Sequence, residues 1–181
     1  MNIFDKRYES DYDEVEELDE NGNKIKVLHY RGTRFQCLLK PEELRRKKAQ
    51  LFIMTAAAAV LYVFAGSRHA LVNKRGPAGM VGGFVLVAMT FLIWGLVRYT
   101  YYKEPFRRDQ YERTIQYSRY GAMCGMFISA ATAVISLILT VSARAFGSGN
   151  IAATAGYAAV AVLLYAVFRT VRSIPYEELW K

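Results

Sequence analysis

The chain has 181 residues, 53% of them hydrophobic and 22% charged, with a formal net charge of +8 and a mean hydropathy of only +0.07. That average would suit a soluble protein, yet the charges avoid four long stretches, 49–67, 77–97, 120–143 and 151–168, each close to the ~20 residues that cross a ~30 Å hydrocarbon core as a helix. A purely soluble domain is thereby excluded, and nucleic-acid binding loses its main support, because the basic residues flank apolar runs instead of gathering on a folded domain.

Residues 1–40 read as a cytoplasmic segment with an acidic first half and a basic second half. Val15 to Asp19 and Lys24 to Tyr30 flank Glu20-Asn21-Gly22-Asn23. Asn-Gly between two short runs of apolar alternation predicts a β-hairpin, since both residues tolerate positive φ. A lone hairpin is marginal in water, so this one is expected to dock on the membrane domain or on a partner. Cysteine occurs at Cys37 and Cys124 without a CxxC pair, which argues against a disulfide or zinc framework. The acidic opening MNIFDKRYESDYDEVEE has no signal-peptide pattern, position two is Asn2, and the end Glu178-Leu179-Trp180-Lys181 is no prenylation signal. Targeting is therefore expected to rest with the first span.

Pro41-Glu42-Glu43-Leu44 places proline and acids where a helix start prefers them, and the run continues into the first span without a breaker. The linker 98–119 holds a second such phrase at Glu104-Pro105-Phe106, with Glu104/Arg108 and Asp109/Arg113 spaced for i,i+4 pairs on an interfacial helix. Pro175-Tyr176-Glu177-Glu178-Leu179 echoes the first phrase after the fourth span and hints at a tandem duplication. The outer loops, 68–76 and 144–150, are short. The expected fold is therefore an all-α integral membrane protein whose domain 41–181 forms two antiparallel helical hairpins, spans one with two and three with four.

Lysine and arginine crowd before the first span (Arg45, Arg46, Lys47, Lys48), in the linker (Arg107, Arg108, Arg113, Arg119) and after the fourth span (Arg169, Arg172), whereas the outer loops are poorer. This bias puts both termini in the cytoplasm. A bacterial plasma membrane suits a chain without a transit peptide. Trp94, Tyr99, Tyr101, Tyr102, Tyr117 and Tyr120 read as an interfacial aromatic belt. Arg45, Arg46, Lys47, Lys48, Arg107 and Arg108 are candidates for contact with anionic headgroups or a partner.

Inside the four windows stands no Asp, Glu, Lys, Arg or His. Proton and ion relays ordinarily need such groups, so a proton-coupled pump built from this chain alone is disfavoured. Small residues recur instead at helical spacing: Gly79 and Gly83; Gly121, Gly125, Ser129 and Ala133; Ala152 and Gly156. These let backbones approach where lipid offers no hydrophobic incentive to associate, and Thr132, Ser136 and Thr140 add a hydroxyl stripe. Cys124 reads as a buried packing residue, and His29 and His69 lie too far apart to share a metal. No convergent catalytic set, cofactor site or metal site emerges. The expected function is a non-catalytic accessory or regulatory subunit packed against a larger membrane protein; the alternative is a small homo-oligomeric channel, facilitator or transporter, assembled through Gly121, Gly125 and Ser129.

Overall fold

A computed structural model describes residues 6–18, 24–74 and 76–179. A 3₁₀ segment, Lys6–Asp11, leads into strands β1 (Tyr12–Leu18) and β2 (Lys24–Tyr30), which pair antiparallel with Val15 opposite Val27. The Asn-Gly turn expected between them lies outside the described residues. A third strand, β3 (Arg34–Cys37), precedes the first long helix, α1 (Pro41–Ser67). A short helix, α2 (Leu71–Lys74), connects α1 to the second, α3 (Gly76–Tyr101). After β4 (Phe106–Arg107) the chain turns helical as α4 (Arg108–Tyr111), widens into a π-helical segment Glu112–Gln116 and continues as α5 (Tyr117–Ser142). Helix α6 (Ser148–Arg172) and strand β5 (Tyr176–Leu179) complete it.

Four helices are thus long and apolar enough to cross a membrane: Pro41–Ser67, Gly76–Tyr101, Arg108–Ser142 and Ser148–Arg172. They run beyond the apolar windows at the charged ends, since a helix continues past the hydrocarbon wherever its first or last turns carry good helix formers and no breaker. Pro41 sits in the first turn of α1, where its missing N–H costs nothing, followed by Glu42 and Glu43 near the positive end of the dipole.

Of the two expected hairpins, α5 and α6 form one, while α1 and α3 do not close the other. Helix α1 packs along α6, α6 along α5, and α5 along α3, while α1 and α3, though consecutive, meet sparingly. They are joined by polar bridges: the Tyr62 hydroxyl donates to the Gly82 carbonyl at 3.0 Å and Lys48 Nζ to the Tyr99 carbonyl at 3.1 Å. The physical reason is where small residues allow close approach. A Cβ on Gly156 would lie 2.7 Å from Ala65 Cβ, and one on Gly121 would lie 2.7 Å from the Leu92 amide nitrogen. Those two seams fix α1 on α6 and α3 on α5.

Two further expectations change. Pro175-Tyr176-Glu177-Glu178-Leu179 does not repeat the helix start of Pro41-Glu42-Glu43-Leu44, because Tyr176–Leu179 is a strand paired with β3, Cys37 opposite Tyr176. Glu104 precedes β4 and so cannot face Arg108 across a helical turn; Arg108 instead forms an i,i+4 ion pair with Glu112, at 3.3 Å. Strand β3 is central in a sheet of order β4-β3-β5, which gathers the N-terminal segment, the linker and the C-terminal tail at one end of the bundle.

Candidate functional site

Beneath that three-stranded sheet lies an aromatic cluster contributed by all three segments. Phe35 stacks on Tyr111 with ring centroids 4.2 Å apart, Tyr111 meets Tyr176 edge-on at 5.2 Å, and Phe106, fully buried, lies between Tyr99 and Tyr176. The Tyr99 and Tyr176 hydroxyls hydrogen-bond at 2.5 Å. Burial pushes the Tyr176 phenol far above its ordinary range, and the facing Tyr99 adds to the shift. Cys37, also buried, has its thiol raised by the same loss of solvent. The expected belt thus loses Tyr99 to the interior. The signal lay in its spacing: Leu92, Leu96 and Tyr99 follow one another at three and four residues on the buried face of α3.

The basic candidates divide. Lys47 donates to the Ser173 carbonyl and hydroxyl at 3.1 and 2.8 Å, closing α1 onto the end of α6. Lys48 lies 4.0 Å from the Tyr99 ring centroid besides its bond to the Tyr99 carbonyl, a cation–π contact inside the chain. Arg107 covers the Tyr30 ring and Arg108 pairs with Glu112. Arg45 and Arg46 are exposed on α1. Four of the six therefore have partners within the chain, and Lys47 and Lys48 bridge its long helices.

The small-residue candidates also divide. Gly121 lies against Ala88 and Leu92, Gly125 against Leu164 and Ala88, and Gly156 against Ala65, while Ser129 and Ala133 are buried. Gly79 backs onto the Asn73 and Val72 carbonyls, whereas Gly83 is exposed with nothing within 4 Å of an added Cβ. Of the hydroxyl stripe, Ser136 bonds Thr154 on α6 at 2.7 Å, and Thr132 and Thr140 bond back to the carbonyls four residues earlier. The buried Ser129 and Thr55 hydroxyls have no hydrogen-bond partner among the described residues.

Cys124, expected inside, is exposed, because the inward face of α5 is set by Gly121, Gly125 and Ser129 and leaves position 124 at its rim. Contacts that sequence reasoning missed include Gly95, packed on Ser118 and Thr114, and two asparagines, Asn73 in α2 and Asn150 in the first turn of α6. Asn73 donates to the Ala65, Gly66 and Arg68 carbonyls and accepts from the Tyr157 hydroxyl; Asn150 accepts from the Leu71 amide and donates to the Ala145 carbonyl. A lone asparagine in a short loop resembles ordinary turn chemistry, so nothing in the sequence marked these two as cross-braces.

The β1–β2 hairpin stands apart from both clusters. Its base is moored by the Tyr8 hydroxyl, which donates to Glu112 at 2.7 Å, and by the Tyr30 hydroxyl, which accepts from the Arg108 amide at 2.9 Å and donates to the Thr33 carbonyl at 2.6 Å. Burial raises the Tyr30 phenol, with the Arg108 amide partly offsetting the rise. Beyond the base, Glu16–Lys24 and Glu14–Lys26 pair at 3.0 Å on one face, where Leu18 and Leu28 are 70% and 61% exposed. Val15 and Ile25 are exposed on the other face, and among the described residues no strand lies beside either outer edge. His29 is in β2 and His69 in the loop after α1, both exposed, and no group of three metal-ligating side chains occurs among the described residues. Compared with known proteins, the chain matches no protein-family model, no curated protein and no solved structure.

Proposed function

We propose that this chain is a non-catalytic accessory or regulatory subunit, embedded in a plasma membrane with both termini in the cytoplasm, whose β1–β2 hairpin docks on a larger membrane protein. The observation that carries the reading is the hairpin: two strands with no further strand beside either outer edge among the described residues, apolar side chains exposed on each face, and hydrogen bonds at its base that tie it to the linker. Two strands alone are marginal in water, so a partner strand or surface supplies what the fold lacks. The basic crowding at the sheet end supports the orientation. Extraction of the native protein in mild detergent is expected to yield a stoichiometric membrane neighbour, crosslinked through the hairpin and released by the double substitution Leu18→Asp with Leu28→Asp. A chain that emerges alone and monomeric, with no neighbour on crosslinking, removes the proposal.

The alternative of a homo-oligomeric pore draws less support, since α3 and α6 cover Gly121 and Gly125 and the Ser136 hydroxyl is engaged with Thr154. Liposomes holding only this chain are expected to be silent to ions and small solutes; selective, saturable flux lost on Gly125→Leu would favour the pore.

A further inference from the structure

We propose that the outward groove between α3 and α5 holds one acyl chain of an anionic glycerophospholipid, with Arg98 meeting the phosphate. The helices touch along the seam at Gly121, where an added Cβ would lie 2.8 Å from the Ala88 carbonyl oxygen. Outward of it runs a groove of about 420 Å³, walled by Phe84, Val87, Phe91, Tyr117, Tyr120 and Cys124. The walls are carbon apart from two phenols and a thiol. A single flexible hydrocarbon chain fits, and the volume falls among small-ligand cavities of ~300–1,000 Å³.

Charge selects the headgroup. On α3 the row Phe84, Phe91 continues by helical spacing to Trp94 and Arg98. The Arg98 guanidinium lies 4.8 Å from the Trp94 ring centroid, ~10 Å along the helix from Phe91 at 1.5 Å per residue. Among the described residues no carboxylate lies within ion-pair distance of it. Tyr117 and Tyr120, both exposed, close the same end of the groove, where phenols prefer the headgroup layer. A cation and two phenols at the mouth of a hydrocarbon slot match a phosphodiester on an acyl chain.

The site rests on the bilayer placement proposed above and not on the partner. The test uses the full chain reconstituted in phosphatidylcholine vesicles with a phosphatidylglycerol carrying a photoactivatable diazirine in its acyl chain. Flotation with the vesicles reads the placement separately: a chain that does not float overturns placement and site together. For a floating chain, adducts are expected to concentrate on the α3–α5 groove over the outward residues Ile53 and Val60 of α1. Unlabelled phosphatidylglycerol should compete about fivefold better than phosphatidylcholine. Arg98→Gln should bring that ratio to parity, and Cys124→Trp, which fills the groove, should erase the concentration of adducts. Adducts spread evenly over α1, α3 and α5, or equal competition by the two lipids in the unmodified chain, would overturn the site without reference to any variant's folding. So would a bismaleimide crosslink through Cys124 to a second copy or to another protein, since the groove would then be filled by polypeptide.

Discussion

Arg144 follows α5 with a left-handed backbone, φ 48°. Its amide bonds the Val141 carbonyl at 3.1 Å and the Ala145 amide bonds the Thr140 carbonyl at 2.9 Å, the paired pattern that ends many helices on glycine. A side chain in that conformation costs ~1–2 kcal/mol, so Arg144→Gly is expected to raise the melting temperature in detergent, and a fall would refute the account. Cys37 and Tyr176 lead to a pH prediction. Both are acids whose folded pKa values lie above the ordinary 9.0 and 10.0 because burial favours the neutral form. Above pH ~9 the unfolded chain therefore sheds these protons before the folded one, and stability falls with rising pH. Their contribution is complete below that pH and lost as pH climbs through the raised folded values. Melting temperatures measured from pH 8 to 11 should decline, less steeply in Tyr176→Phe; a flat profile would exclude this linkage.

Among the elements, β3 has most to do for its length, pairing with β4 through Phe35 and Phe106 and with β5 through Cys37 and Tyr176. Its residues Arg34-Phe35-Gln36-Cys37 carry no strand signal beyond one aromatic, and β4 spans two residues, too few for any periodicity to register. Long-range pairing created both, whereas the β1–β2 hairpin was legible because its partner lies next to it in the chain. Phe35→Ala removes the ring stacked on Tyr111, a loss of roughly 1–3 kcal/mol for a partly buried aromatic. The sheet should open more often, so maleimide labelling of Cys37 at neutral pH is expected to rise about tenfold, since ~1.4 kcal/mol is tenfold, while Cys124 labelling stays constant. Equal acceleration at both thiols would mean global loosening instead.

For the whole molecule, the packing order α1–α6–α5–α3 depends on a few close approaches. Gly121→Leu and Gly156→Leu drive side chains into backbone or Cα positions of the facing helix, and overpacking of this kind costs ~1–3 kcal/mol or more. Gly83→Leu meets open space and removes a poor helix former, so it is expected within ~1 kcal/mol of the parent. Thermal unfolding in detergent should rank the three accordingly; a Gly83→Leu protein as damaged as the other two would place a further helix on that face.

The apolar windows, the helix start at Pro41 and the β1–β2 hairpin are local properties. Hydrocarbon thickness and backbone geometry act on contiguous residues, and one chain is enough to read them. The small-residue stripes were equally visible, but a stripe names no neighbour: Gly83 and Gly121 look alike in sequence, and one faces outward while the other lies against Leu92. The choice among helix pairs, the burial of Tyr99, the exposure of Cys124 and the strand at Tyr176 follow from which surfaces meet across many residues. That selection sums small van der Waals and hydrogen-bond differences over the whole bundle, and no short window of sequence contains them.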